Sequence, residues 1–159
     1  MIIEYEDCYK NDVKRLLVEL HEYIVSIDKE KYNIMTPEYG DMCLDKTFME
    51  VDKCNGKILL YKDEDNIVGM IIGIINNDVV DTYDFKSPRR GRITEFVVSK
   101  EYRKNGIGKK LFLRMEEHLK SLGCESVLID VFGYNDNAIN FYTMQGYNNR
   151  VIDMVKVFN

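Results

Sequence analysis

Two glycines flanked by cations are the residues that most clearly predict chemistry. They lie in the stretch Arg103-Lys104-Asn105-Gly106-Ile107-Gly108-Lys109-Lys110, between a predicted strand and a predicted helix. Free backbone N–H groups and the positive end of the helix dipole meet at such a helix start, and together they attract anions. Lys109 and Lys110 would oppose that dipole by ~0.3–1 kcal/mol each, a conflict that a bound pyrophosphate would remove. The stretch therefore predicts a site for a phosphorylated ligand.

Two familiar phosphate-binding motifs do not fit this stretch. A P-loop has four residues between its first glycine and a Gly-Lys-Ser/Thr end, and here both the spacing and the hydroxyl are missing. The dinucleotide fingerprint has a third glycine where this chain carries Leu111. The alternative interpretation is that Gly106 and Gly108 merely make a tight turn before a solvated, lysine-rich helix.

The distribution of charge supports the anion-site interpretation. The chain of 159 residues carries 22 Lys+Arg and 27 Asp+Glu, a formal charge of −5. Residues 86–120 hold 11 basic and 4 acidic residues, a local charge of +7, against 11 basic and 23 acidic residues elsewhere. The acidic total argues against a dedicated nucleic-acid binder, while the basic region spans the glycine turn and suits an anionic ligand.

Length and composition narrow the class of protein. With 45% apolar and 31% charged residues, the chain is predicted to form one globular domain over residues 1–159. The longest apolar stretch, Ile67–Ile75, is far short of the ~20 residues that a membrane helix needs. Because no secretory signal is visible, we expect a cytoplasmic protein. Neither the four cysteines nor the two histidines have metal-ligand spacing, so we expect free thiols and no metal site.

The apolar pattern predicts the elements that must position the glycine turn. Strands are predicted at Ile2–Tyr5, Lys57–Tyr61, Ile67–Ile75, Arg92–Val98 and Val127–Phe132, with a final extended segment at Tyr147–Phe158. Helices are predicted at Tyr9–Ile27, from Pro37 to near Gly56, at Gly106–Leu122 and at Asn135–Gln145, and a polar loop from Asn76 to Arg90. The order βααβββαβαβ predicts a single α/β domain with a mixed central sheet.

The glycine turn also resembles a family motif. Arg103-x-x-Gly106-x-Gly108, placed after a strand and opening a helix, resembles the acetyl-CoA loop of the GNAT N-acetyltransferase superfamily. The resemblance extends upstream through Ile93–Val98 and downstream through Asn135-x-x-Ala138-Ile139-x-Phe141-Tyr142-x-x-x-Gly146-Tyr147. The two blocks cover about 55 residues and stand in the family's order, with 29 residues from Gly106 to Asn135.

The resemblance implies a single-domain, GNAT-like α/β fold whose mixed central sheet splays around acetyl-CoA, with helices on both faces and no metal. The strand before the loop would pair with the pantetheine arm through Phe96, Val97 and Val98. The pyrophosphate would be held by the loop residues Arg103, Lys104, Asn105, Gly106, Ile107, Gly108 and Lys109. Asn135 would hydrogen-bond the cofactor arm, and Ala138, Phe141 and Tyr142 would line the same cleft.

Two residues are predicted to take part in catalysis. Tyr142 takes the family's general-acid position, and the chemistry fits, because attack of an amine on a thioester expels a thiolate that a nearby phenol can protonate. Glu95 is the candidate general base, since it lies on the cofactor-binding strand and some relatives carry a carboxylate nearby. Bases are not fixed in position in this family, and the alternative is that Glu95 is an exposed strand residue.

The resemblance also implies that the first two helices and their connection shape the acceptor pocket. That region holds the aromatic and acidic residues Tyr23, Tyr32, Tyr39, Glu30, Glu38, Asp41 and Asp45. The combination suits a small cationic amine, and the alternative is a solvated acidic helix face. The basic residues 88–92 are expected to form a solvated loop, and the alternative is contact with an acidic partner, nucleic acid or the 3′-phosphate of the coenzyme. The loop is too short for a nucleic-acid module, so neither nucleic acid nor a membrane is expected as a partner.

The expected reaction is direct attack in a ternary complex, because no cysteine lies within a matched motif. The alternatives are a protein or peptide N-acetyltransferase and a non-catalytic acyl-CoA-binding regulatory module. The sequence departs from the family after Tyr147, where twelve residues remain and members commonly have two strands. We expect one strand or two very short ones there, and a partner subunit in a homodimer would complete the acceptor pocket.

Overall fold

A computed structural model describes residues 1–76 and 88–158 of the chain. The strands are β1 (Ile2–Glu4), β2 (Lys57–Asp63), β3 (Asn66–Asn76), β4 (Arg90–Val98) and β5 (Ser126–Ile129). The helices are α1 (Lys10–Ile27), α2 (Tyr39–Lys53), α3 (Ile107–Ser121) and α4 (Asp136–Met144). The sheet runs in the order β1-β2-β3-β4-β5, with antiparallel neighbours except for the parallel pair β4 and β5.

The sheet separates two hydrophobic clusters because successive side chains of a strand point to opposite faces. On one face, α1 and α2 bury residues such as Leu16 and Leu44 against the sheet. On the other face, α3 contributes Leu111, Phe112 and Met115, and partly buried residues of α4 pack against the same cluster. The predicted mixed sheet with helices on both faces is therefore confirmed.

Helix α3 lies very close to the sheet because the strands beneath it carry glycines. A Cβ atom at Gly73 would stand 2.5 Å from the Sδ atom of Met115, and one at Gly91 would stand 2.7 Å from Cδ1 of Leu119. Met115 and Leu119 are four residues apart and lie on the same face of the helix. This close fit sets where the start of α3, and with it the glycine turn, lies relative to β4.

Gly73→Ala is expected to lower the free energy of unfolding by about 1–3 kcal/mol, since an added methyl group overpacks a buried contact. Urea denaturation measures the effect. Gly133→Ala is the matched control, because a Cβ atom at Gly133 meets nothing within 4 Å. Equal unfolding midpoints for the two variants would contradict the close approach of α3 to β3.

Three details of the predicted elements are wrong. Strand β4 begins at Arg90, whose backbone pairs with Asn76 of β3, so Arg90 and Arg92 are strand residues and not part of a solvated loop. Strand β5 ends at Ile129 and not at Phe132. No strand forms in the described residues 148–158, which are all exposed. An apolar segment becomes a strand only where a partner strand is available. Most of the predicted loop from Asn76 to Arg90 lies outside the described residues.

Candidate active site

The cleft of the candidate site lies where β4 and β5 separate. These strands pair in parallel over the short stretch from Arg90 to Ile93 in β4. The remaining residues of β4, which include Phe96 to Val98, pair with β3 at one edge, and no pairing with β5 is found for them in the described chain. Apart from the Val98 carbonyl, which accepts a hydrogen bond from Nε of Arg103, their other backbone edge is therefore available to an extended ligand.

A β-bulge in β4 directs Glu95 toward α1 and α2. Ile72 of β3 faces Glu95 and Gly73 faces Ile93, so Thr94 is an extra residue between them. Ile93 and Phe96 both pack in the cluster beneath α3, although they are three residues apart. If Thr94 were a regular strand residue and not a bulge, strict alternation would place Glu95 on the same face as Ile93. The bulge therefore puts this carboxylate on the face opposite to α3.

The surroundings of Glu95 raise the pKa of its carboxyl group. Burial, together with the negative charge of Glu50, raises the pKa of the Glu95 carboxyl to about 7, and Lys46 partly offsets this rise. A carboxyl with this pKa exchanges a proton near neutral pH, as a general base must. Glu95 is partly buried, so the alternative of an exposed strand residue is wrong.

An aromatic pair lies on the Glu95 side of the sheet. The rings of His21 and Tyr39 are stacked, with centroids 3.8 Å apart and an angle of 9° between the planes. Nε2 of His21 is 2.8 Å from the carbonyl oxygen of Ile34 and must carry the proton of that hydrogen bond. Burial, a hydrogen bond with Cys43 and the charge of Glu95 raise the pKa of Tyr39, so its phenol stays protonated.

The glycine turn forms an open concavity at the start of α3. Lys104 and Gly106 have left-handed backbone conformations, with φ of 66° and 76°. Such alternation directs successive N–H groups into one anion-binding hollow. A Cβ atom at Gly106 would meet nothing within 4 Å, so the space beside these amides is open. Nε of Arg103 donates to the carbonyl oxygen of Val98 at 2.8 Å and ties the turn to the end of β4. These residues fit a pyrophosphate.

The side chains of the glycine turn have different environments. Lys104, Asn105 and Lys109 are exposed, whereas Ile107 is buried in the core beneath α3 and offers its backbone alone. The ammonium group of Lys110 lies 5.9 Å from the ring centre of Tyr61 in β2. Lys109 follows Gly108 directly and is exposed beside the turn.

An aromatic cluster next to the turn contains Tyr142. A Cβ atom at Gly108 would lie 2.9 Å from Cζ of Phe96, so the glycine lets α3 begin against this cluster. The Tyr142 ring lies 5.6 Å from the Phe112 ring, centre to centre, and 6.2 Å from the Tyr147 ring. Burial raises the pKa of Tyr142 to about 12, so this phenol keeps its proton over the physiological range.

Asn135 caps α4 and is held by a residue that sequence reasoning did not single out for this role. Its Oδ1 atom accepts hydrogen bonds from the backbone N–H of Ala138 at 3.2 Å and from the hydroxyl of Tyr23 at 3.0 Å. Tyr23 belongs to α1, 112 residues away in the chain. No local motif signals such a partner, because the contact depends on how α1 lies across the sheet.

The residues predicted on the acceptor side are not gathered into one pocket. Tyr39 lies near Glu95, but Tyr23 points to Asn135 and Tyr32 is 68% exposed. Asp41 forms an ion pair with Lys14 of α1 at 2.5 Å. The carboxylate of Glu30 accepts a hydrogen bond from the hydroxyl of Tyr134.

The described residues contain neither a cluster of metal ligands nor a helix that could span a membrane. No group of three or more His, Cys, Asp or Glu residues there is arranged to hold a metal ion. None of the helices formed by residues 1–76 and 88–158 is both long and apolar enough to cross a membrane. All four cysteines are free thiols.

Comparison with known proteins gives the family. Residues 19–147 match the model of the Acetyltransferase (GNAT) family, so the chain belongs to that family and the resemblance found in the sequence is confirmed. Glucosamine 6-phosphate N-acetyltransferase from Arabidopsis thaliana is 34% identical over 71 residues, which are 45% of this chain and 46% of that protein. The match thus spans less than half of that relative.

Solved structures share the fold over nearly the whole chain. A mutant of a Bacillus halodurans protein superposes with a TM-score of 0.86 at 21% identity, covering 100% of this chain and 99% of the other. The protein AAC(6')-Iy, solved with the bisubstrate analog CoA-S-monomethyl-acetylneamine, gives a TM-score of 0.70 at 13% identity, covering 99% and 98%. The GNAT-like α/β fold predicted from the sequence is confirmed.

Proposed function

We propose that this protein transfers the acetyl group of acetyl-CoA to the primary amine of a small, cationic acceptor by direct attack in a ternary complex. One observation carries the proposal. The open edge of β4 has Glu95, a proton acceptor near neutral pH, on one face of the sheet and Tyr142, a proton donor, on the other face. A transfer from a thioester to an amine needs both groups.

Acetyl-CoA supplies an activated acetyl group as a thioester. Phe96, Val97 and Val98 would hold the pantetheine arm through the backbone groups of β4 that do not pair with β3. The pyrophosphate would lie in the hollow of the turn from Arg103 to Gly108, next to Lys109, where the space beside Gly106 is open. Asn135, Ala138 and Phe141 would line the arm. The AAC(6')-Iy complex with a CoA-containing analog supports this use of the fold.

The amine reacts in its neutral form, after its ammonium proton has passed to solvent, because the nitrogen needs a free lone pair. Glu95 then accepts the next proton from nitrogen as the C–N bond forms, either directly or through a water molecule. Its pKa of about 7 means that about half of the molecules carry the carboxylate at neutral pH. The phenol of Tyr39 is within range of the Glu95 charge and stays protonated, so it adds no second negative charge beside the carboxylate.

Tyr142 donates its phenolic proton to sulfur as the C–S bond breaks. Its pKa of about 12 keeps the proton in place until that moment. One proton thus moves from nitrogen to Glu95 and another from Tyr142 to sulfur, and both residues return to their starting states by exchange with solvent. Neither step uses a cysteine, in agreement with direct transfer.

The choice of a small cationic amine rests on charge and on relatives. Outside residues 86–120 the chain carries 11 basic and 23 acidic residues, and the acceptor-side helices belong to this acidic part. One relative is named for glucosamine 6-phosphate, and AAC(6')-Iy was solved with an acetylneamine analog; both compounds are small and amino-containing. The acidic charge favours a cationic acceptor, and the relatives favour a small amine over a folded protein.

The deciding experiment is a panel of aminosugars, aminoglycosides, polyamines and lysine derivatives, read by release of the free CoA thiol. We expect acetyl-CoA to raise the melting temperature and at least one small amine to give thiol release, with Tyr142→Phe as the catalytic control. Stabilisation by acetyl-CoA without thiol release over the whole panel would favour a non-catalytic acyl-CoA-binding module. A protein that acetyl-CoA does not stabilise would contradict the proposal.

A further inference from the structure

The hydrogen bonds of Asn135 determine which end of its amide faces the cleft. A carbonyl oxygen has two lone pairs, and Oδ1 of Asn135 uses both, for Tyr23 and for the backbone of Ala138. The opposite amide orientation would set the NH2 group against the N–H of Ala138. That arrangement is repulsive, so the orientation is determined. Within residues 1–76 and 88–158, no hydrogen-bond acceptor is found for Nδ2 of Asn135. Its two N–H donors are therefore available to a ligand.

Tyr23 also contacts the other side of the cleft. The guanidinium group of Arg103, in the glycine turn, lies 5.7 Å from the centre of the Tyr23 ring. One turn earlier in α1, the carboxylate of Glu19 accepts hydrogen bonds from the hydroxyl of Ser99 at 2.8 Å and the backbone N–H of Lys100 at 3.3 Å. Helix α1 thus joins the end of β4 and the glycine turn to the start of α4.

We infer that Tyr23 is a positioning residue for the cofactor. Its hydroxyl fixes the Asn135 amide so that Nδ2 donates a hydrogen bond to an amide carbonyl of the pantetheine arm, while its ring supports Arg103 at the phosphate end. This inference rests on the proposed function, because it takes acetyl-CoA as the ligand of the cleft. It assigns a cofactor-side role to a tyrosine on a helix expected to face the acceptor.

Tyr23→Phe tests the hydroxyl alone, because phenylalanine keeps a ring beneath Arg103. We expect the Kd for acetyl-CoA to rise about 3- to 10-fold, the range for loss of one hydrogen bond. Binding of 3′-phosphoadenosine 5′-diphosphate, which lacks the pantetheine arm, is expected not to change. Tyr5→Phe is the matched control, since Tyr5 also donates its hydroxyl to a side chain, Asp7 at 3.4 Å, and is expected to bind acetyl-CoA like the wild type.

A double-mutant cycle separates positioning from a general loss of structure. In an Asn135→Ala background, Tyr23→Phe is expected to have no further effect on the Kd for acetyl-CoA. An unchanged Kd for the single Tyr23→Phe variant, or equal weakening of both ligands, would overturn the inference and leave the proposed function intact. If the wild-type protein bound 3′-phosphoadenosine 5′-diphosphate but not acetyl-CoA, the proposed function would fail, and the inference with it.

Discussion

Glu95→Gln is expected to lower kcat by about 10²- to 10⁴-fold, the usual contribution of a general base. In the wild-type protein, the rate should rise with pH through about 7, because burial and Glu50 raise the pKa of Glu95 to about 7 and its carboxylate is the active form. The variant cannot titrate at this position, so the acidic limb of the rate–pH profile should be flat. Steady-state rates between pH 5 and pH 9 measure both effects.

Glu50→Gln is the matched control for this change. Glu50 lies on α2, and its negative charge is one cause of the raised pKa of Glu95. Removing that charge should shift the acidic limb to lower pH while kcat at high pH stays close to the wild-type value. An acidic limb that is the same in the wild type, Glu50→Gln and Glu95→Gln would show that another group is the base.

The same pKa shift predicts how the stability of the wild type and of Glu95→Gln depends on pH. Because the folded state raises the pKa of Glu95 above its value in the unfolded chain, the folded state binds more protons between those two values. Wild-type stability should therefore fall as the pH rises through this window toward about 7, and the glutamine variant should lack this loss. A variant that is inactive at pH 8 yet at least as stable as the wild type separates catalysis from folding.

Tyr142→Phe is expected to lower kcat about 10²-fold, at the lower end for general acid catalysis, because the leaving thiolate loses its proton donor. The KM for acetyl-CoA should change little, since phenylalanine preserves the ring packing against Phe112. The pKa of Tyr142, raised by burial to about 12, predicts no fall in the wild-type rate from ionisation of this phenol below about pH 11. Stopped thiol-release assays at saturating acetyl-CoA measure kcat directly.

Tyr147→Phe is the matched control, because it removes a hydroxyl from the same aromatic cluster and keeps the ring. The hydroxyl of Tyr147 donates to the carboxylate of Glu116 at 2.8 Å and takes no part in the proposed reaction. This variant is expected to lose about 0.5–1.5 kcal/mol of stability but to keep its kcat. If Tyr142→Phe lost no more activity than Tyr147→Phe, solvent and not Tyr142 would protonate the leaving group.

Local patterns in the sequence were sufficient to predict the helices and the turn whose formation depends on residues close together in the chain. The period of apolar residues predicted α1 and α3, because a helix that covers a sheet must repeat its buried side chains every three or four residues. The glycine turn was predicted because free N–H groups and cations meet at a helix start, and Gly106 there adopts a left-handed backbone with φ of 76°.

The remaining features depend on contacts between distant residues. The hydrogen bond between Tyr23 and Asn135 joins positions 112 residues apart, and no spacing along the chain encodes it. The bulge at Thr94 depends on how β4 pairs with β3, so the direction of Glu95 stayed open at the level of sequence. The segment from Asn148 to Phe158 has strand-like residues, but β formation requires a partner that its own pattern does not specify.

The bulge at Thr94 makes the direction of Glu95 depend on how β4 pairs as well as on its residues. If the bulge were lost and Thr94 and Glu95 alternated regularly after Ile93, Glu95 would lie on the side of α3. If Thr94 itself were deleted, Ile93 and Glu95 would become neighbours, and strict alternation would leave the carboxylate on its present face. Divergence within this lineage can therefore shorten β4 at this position without moving the proposed base to the other side of the sheet.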